Sequence, residues 1–229
     1  MQRNKKKILV VAAHPDDEVL GCGGTIFKLA SQGNKIFIVF LSDGVSSRRS
    51  NILNEEINFR KDNAIKSCKI LKVSNYFFEN LKDNSFDSEP ILKITKIIEK
   101  YIYKLKPDII FTHSKSDLNI DHKITNQSVV TACRPQKKMP VSELYFFEIL
   151  SSSEWNFSDA EMTFKPNYFV DISKSINKKI KALKEYKKEL RNWPHPRSIE
   201  GVKTLSKFRG MSSNLLNAEA FIQAFKIEK

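Results

Sequence analysis

The stretch Ile8-Leu9-Val10-Val11-Ala12-Ala13-His14-Pro15-Asp16-Asp17-Glu18 decides how the chain is read. Its first six residues form a continuous β-rich apolar run, the pattern of a central parallel strand covered on both faces. Its last five put an imidazole and three carboxylates at the C-terminal end of that strand. Burying so many charges costs several kcal/mol per ion unless they are paired or bind a metal. Working outward, the pattern predicts a helix from about Val19 to Gln32, stopped by Gly33. A second buried strand follows over Lys35 to Leu41, then a polar loop around Gly44.

Leu53 to Leu71 reads as a long helix, with Ile57, Ala64, Ile65, Cys68 and Leu71 on one face. Tyr76-Phe77-Phe78 is a short strand, and Asn80 to Glu89 a loop. Pro90 opens a helix to about Leu105, and Asp108 to Thr112 is a fourth strand. Strand and helix alternate, so the expected fold is α/β: a three-layer sandwich with a mostly parallel, Rossmann-like sheet and helices on both faces. Such sheets bind ligands beyond the carboxyl ends of their strands. Further on, a loop over Ser114 to Asp121 precedes a helix from about His122 to Cys133. Strands follow at Glu143 to Ile149 and Tyr168 to Ile172. Ser173 is the expected N-cap of a Lys-rich helix reaching Arg191. Trp193-Pro194-His195-Pro196-Arg197 cannot be helical throughout, and one or two helices are expected to finish the chain. No internal repeat or Gly/Pro/Ser-rich linker appears, so residues 1–229 read as one domain.

The 229 residues carry 39 Lys and Arg against 26 Asp and Glu, a net charge of +13. The lysines are scattered, which favours a solvated surface, with an anionic partner such as a nucleotide-linked sugar as the alternative. Their short clusters lack the aromatic interleaving of a single-strand binder, so no nucleic-acid partner is expected. Cys22, Cys68 and Cys133 are few, odd in number and far apart, which argues against a disulfide framework, and no CxxC pair suggests a zinc ribbon. The first apolar run is shorter than a signal-peptide core, and no stretch reaches the ~20 residues of a membrane span. A reduced, cytoplasmic protein without a membrane span is the expectation. Gly21-Cys22-Gly23-Gly24 fails as a dinucleotide fingerprint, since it starts too far past the strand and has Ile26 at the third glycine position. Close helix packing is the better reading.

His and Asp are both good zinc ligands, and a catalytic zinc keeps three protein ligands and one open position. The first loop can supply two. The third must come from the end of the fourth strand, where His122, or His113 as the alternative, is available.

The motif Ala13-His14-Pro15-Asp16-Asp17-Glu18, followed about 100 residues later by Asp121-His122, resembles the LmbE-like/PIG-L deacetylases. Leu41-Ser42-Asp43-Gly44, Arg60 before Asn63-Ala64, the loop Asp83 to Asp87, and the segments around Pro194 to Ser198 and Ala218 to Phe221 are similar to further family segments. The resemblance implies a metal-dependent N-deacetylase that hydrolyses the N-acetyl group of an amino sugar, free, glycosidic, or linked to a nucleotide or lipid. It implies His14, Asp17 and His122 as ligands of Zn2+, with Fe2+ as another possible divalent ion. It makes Asp16 the general base and Asp121 a supporting carboxylate behind a ligand. Asn119 stands where many members have a His that donates to the oxyanion, and Asn63 where they have Glu. Asp43, Arg60, Asp83, His195 and Arg197 are candidates for holding substrate, and Phe146, Phe147 and Trp155 for walling a sugar. The competing reading is a non-catalytic carbohydrate-binding protein on the same metal scaffold.

Overall fold

A computed structural model describes residues 5–48, 53–157 and 163–228. The elements run β1 (Lys7–Ala12), α1 (Asp17–Ser31), β2 (Lys35–Ser42), α2 (Leu53–Ile70), β3 (Asn75–Leu81), α3 (Ile91–Leu105), β4 (Ile109–His113) and α4 (Ile120–Ala132). They continue with β5 (Glu143–Phe147), β6 (Tyr168–Asp171), α5 (Ile176–Leu183), α6 (Ile199–Met211) and β7 (Ala218–Lys226). The sheet order is β3-β2-β1-β4-β5-β7-β6. The first five strands are parallel to their neighbours, while β7 runs antiparallel to both β5 and β6.

Strand alternation splits the apolar side chains between two layers. From β1 and the residue after it, Ile8, Val10 and Ala12 join a core with α1, α2, α5 and α6, whereas Leu9, Val11 and Ala13 join one with α3 and α4. This is the expected three-layer α/β arrangement. Among the described residues no helix is long and apolar enough to cross a membrane.

Four local expectations are corrected. First, α1 starts at Asp17, not Val19, and is kinked where Cys22 leaves helical geometry (φ −147°, ψ 23°). The kink frees the N–H groups of Gly24 and Thr25, and both donate to the Glu219 carboxylate at 2.9 and 2.7 Å. The Lys179 ammonium donates to Leu20 O (2.8 Å) and to Glu219 (2.7 Å), so a buried ion pair from α5 and β7 satisfies the break. The glycines around the kink permit close packing: a Cβ on Gly24 would lie 2.8 Å from Ile172, and one on Gly21 would collide with the Phe147 ring.

Second, the Lys-rich helix is shorter than read. α5 has eight residues, Ser175 rather than Ser173 precedes it, and tighter turns carry the chain through Tyr186 and Glu189. Third, β3 extends to Leu81 in place of the expected loop, followed by a 3-10 turn at Phe86–Ser88. Fourth, the chain does not finish in helices only: after α6 comes β7, inserted between β5 and β6. Pairing on both edges overrides the helix preference of its alanines and glutamate.

Candidate metal centre and active site

β1 and β4 are neighbours, and from them the sheet order extends in opposite directions, to β2 and to β5. Open α/β sheets form a crevice at such a divide, and the polar cluster lies there. After β1 the chain turns through Asp16, whose backbone is left-handed at φ 119°, ψ −25°. For a residue with a Cβ this is a costly conformation, of order 1–3 kcal/mol. The turn is tied by the His14 N–H donating to Asp17 Oδ2 at 2.8 Å. Gly44, at φ 70°, lets the β2 loop approach the turn; a Cβ there would sit 3.2 Å from that of His14. After β4, Asn119 caps α4 by accepting from the N–H groups of Asp121 (2.8 Å) and His122 (3.4 Å). That cap fixes His122 in the first turn of α4.

The two turns bring three ligand atoms together. His14 Nδ1 lies 3.2 Å from His122 Nε2 and 3.3 Å from Asp17 Oδ2, which is 3.4 Å from His122 Nε2. The centre of such a triangle is about 1.9 Å from each corner, close to the ~2.0–2.2 Å bonds of zinc to nitrogen and oxygen. The other oxygen of Asp17 is buried without a hydrogen-bond partner among the described residues. This donor set fits a divalent ion.

Each imidazole has carboxylate behind it, as metal-binding histidines usually do. Nε2 of His14 lies 3.1 Å from both Asp83 and Asp121. Asp121 is fixed by the N–H groups of Asn84 (2.7 Å) and Phe86 (3.0 Å). Asp117 lies 3.1 Å from Nδ1 of His122 and accepts from the hydroxyls of Ser152 and Ser153. His113 does not join the triangle as a free ligand, because its Nε2 accepts the Ala13 N–H at 3.0 Å.

The protonation of these groups follows from the same arrangement. Burial alone would lower the pKa of His14, but Asp121, Asp17 and Asp83 outweigh it and hold it well above the usual value. Burial likewise opposes the charge on His122, yet Asp17 and Asp117 raise it to about 9. His113 is lowered to about 4 by burial and by the neighbouring His122. The pocket therefore stabilises positive charge at the point where the three ligand atoms converge.

Asp16 faces the same cavity. Its Oδ1 is 3.2 Å from Arg60 Nη2 and its Oδ2 3.2 Å from Arg197 Nη1. Burial raises its pKa, and the two guanidiniums offset this only in part, leaving it above the ordinary carboxylate value. Arg60 reaches Glu189 through its other terminal nitrogen at 2.5 Å, and Arg48 lies 2.9 Å from both oxygens of Glu189. The cavity has a volume of about 140 Å³ and is lined by polar side chains, Arg60, Asp83, Asn119 and Arg197 among them.

Asp43 and His195 do not line it. Asp43 instead accepts from the N–H groups of Val45 and Ser46, closing its own turn. His195 packs edge-on against Trp155, ring centroids 5.5 Å apart, and accepts the Arg197 N–H. Phe147 is fully buried, and Phe146 lines a separate cleft beside α4, so neither walls this cavity. Residues that the sequence reading missed are Glu189, Arg48 and Asn84, together with Asp117 as the partner of His122. For Asp117 the spacing Asp-x-Asn-x-Asp-His carried a signal; Glu189 sits in a Lys-rich run and carried none.

The PIG-L family profile, described as GlcNAc-PI de-N-acetylase, matches residues 9–133. The chain belongs to the PIG-L family. It is 27% identical to the uncharacterized deacetylase YaiS of Escherichia coli K12 over 190 residues, covering 80% of this chain and 92% of that protein. Among solved structures it is similar to N,N'-diacetylchitobiose deacetylase from Pyrococcus horikoshii, with TM-score 0.77, 22% identity, and coverage of 96% of this chain and 84% of that one. It is also similar to GalB, the 4-carboxy-2-hydroxymuconate hydratase of Pseudomonas putida KT2440, with TM-score 0.73, 21% identity, and coverage of 98% of each chain. The fold by itself therefore does not choose the reaction, and the side chains of the site must.

Proposed function

We propose that this protein is a zinc-dependent N-deacetylase of an N-acetylated amino sugar. The observation that carries the reading is the triangle of His14, Asp17 and His122 with the Asp16 carboxylate beside it, in a member of a de-N-acetylase family. Bound zinc would supply two things that amide hydrolysis lacks at neutral pH: a water of lowered pKa and polarisation of the carbonyl.

The remaining roles belong to the chain. Asp16 accepts the proton of the attacking water and returns it to the departing amine. The Asn119 amide donates to one acceptor, Asn84 Oδ1 at 3.0 Å, and its second hydrogen is the donor for the oxyanion. A neutral amide supplies less stabilisation there than a charged imidazole. Arg60 and Asp83 line the small polar cavity that takes the acetamido sugar. The net charge of +13 makes nucleotide-linked and other anionic conjugates part of the search.

The test is acetate release from N-acetyl sugars, their glycosides and nucleotide sugars, with metal content measured on the same sample. Zinc-dependent release that disappears in Asp16→Asn supports the reading. Undiminished release from metal-free protein sinks it, and binding of the sugar without turnover favours the carbohydrate-binding alternative.

A further inference from the structure

Asp16 is held by more machinery than proton transfer alone demands. A carboxylate turns easily about its last torsion, and a guanidinium facing it ordinarily settles into a two-bond fork across both oxygens. Here each guanidinium makes a single contact to Asp16 instead. Glu189 holds Arg60 Nη1 at 2.5 Å, and Arg60 reaches Asp16 through Nη2, on Oδ1, while its Nε has no hydrogen-bond partner among the described residues. Arg197 reaches the other oxygen through Nη1, while its Nε donates to Leu150 O at 3.3 Å. The Arg60 guanidinium also lies 5.3 Å from the centre of the Tyr186 ring, which steadies its plane. Glu189 is itself anchored, 6% exposed and 2.9 Å from Arg48 at both oxygens. The result is a carboxylate fixed from two sides by single contacts, with lone-pair capacity left on each oxygen. Glu189 and Arg197 both lie outside the family-matched residues 9–133.

We propose that Glu189 and Arg197 are positioning residues that set the plane of the Asp16 carboxylate, Glu189 by dividing Arg60 between two acids and Arg197 by holding the opposite oxygen. The proposal rests on reading Asp16 as the general base. Misplacing a reacting group by about 1 Å can cost on the order of a hundredfold in rate.

Glu189→Gln is therefore expected to lower kcat about ten- to a hundredfold, with KM and zinc content at wild-type values and Glu189→Asp recovering part of the loss. Arg197→Ala is expected to lose kcat similarly and to regain part of it in millimolar guanidinium chloride, with Arg197→Lys in between. A wild-type kcat in both Glu189→Gln and Arg197→Ala overturns the proposal. So does a rise in KM alone, which marks substrate contacts, or loss of zinc from either variant. Should Glu189→Gln fail to fold, folded and zinc-loaded Arg197→Ala decides: rescue by guanidinium supports the proposal, and no rescue overturns it. Wild-type protein inert with every N-acetyl sugar would instead strike the deacetylase reading.

Discussion

From β3 through β1 to β4 the strands are parallel, and β1 and β4 are almost entirely buried. Beyond β5 the inserted β7 runs antiparallel to both its neighbours and is buried only along its first four residues. The two regions serve the site differently. The parallel region brings His14 and Asp17 from the turn after β1, and His122 from the first turn of α4 beyond β4, to within 3.4 Å of one another. The antiparallel region and its helices contribute from a distance, through the long side chains of Arg197, Glu189 and Tyr186. The candidate ligand atoms come from the strand ends, and the far flank reaches Asp16 through Arg197.

Substitutions can break or sharpen that contrast. The largest effect is expected at the parallel strand ends. Asp16→Asn should lower kcat by roughly 10²–10⁴ with metal content unchanged, whereas His122→Ala should lose the metal as well, measured by metal analysis beside acetate release. Next comes the Lys179–Glu219 pair of the flank. Glu219→Ala leaves a buried ammonium without its counter-charge and should cost about 3–5 kcal/mol. In a chain of this length that is a fall in Tm of roughly 10 °C, with kcat preserved well below the transition. A loss of kcat at full folding would erase the division between the regions. Gly24→Ala should cost about 1–3 kcal/mol by overpacking against Ile172, read by denaturant unfolding.

The smallest effect belongs to Glu143 at the start of β5. Burial raises its pKa, but Lys6 and Tyr145 outweigh this and hold it below its ordinary 4.5. Its ionised form therefore adds stability above that pH, and the gain fades as the pH falls past the lowered value. The exposure of Lys6 keeps the contribution below about 1 kcal/mol. The denaturation midpoints of Glu143→Gln and wild type should differ slightly at pH 7 and converge in acid.

The same division explains what could be read in advance. Ile8 to Ala13, Lys35 to Leu41 and Asp108 to Thr112 are apolar runs bounded by loops, and a parallel strand covered on both faces requires that pattern. His14, Asp16 and Asp17 follow the first run directly and His122 comes one loop after the last, so their meeting could be inferred from strand order. β7 was illegible because its alanines and glutamate favour a helix in isolation, and only pairing to β5 and β6 makes it a strand. The kink at Cys22 depends on Glu219, nearly two hundred residues away, which no local window contains. Glu189 acquires its role only once the turns after α5 aim it at Arg60. Asp43 and His195 show the converse: each stands beside a motif, and each is engaged by its own loop.

The insertion of β7 between β5 and β6 also orders events during synthesis. β2 and the edge strand β3 have partners as soon as they leave the ribosome, because β1 precedes β2 and β2 precedes β3. β6 has β7 as its neighbour in the sheet, and β7 is made only after α5 and α6. Since chains emerge N-terminus first at several residues per second, Tyr168–Asp171 waits unpaired while the segment carrying Glu189 and Arg197 is translated. The flank closes like a zip drawn from its far end, and the two guanidiniums around Asp16 gain their final framework only with the last strand.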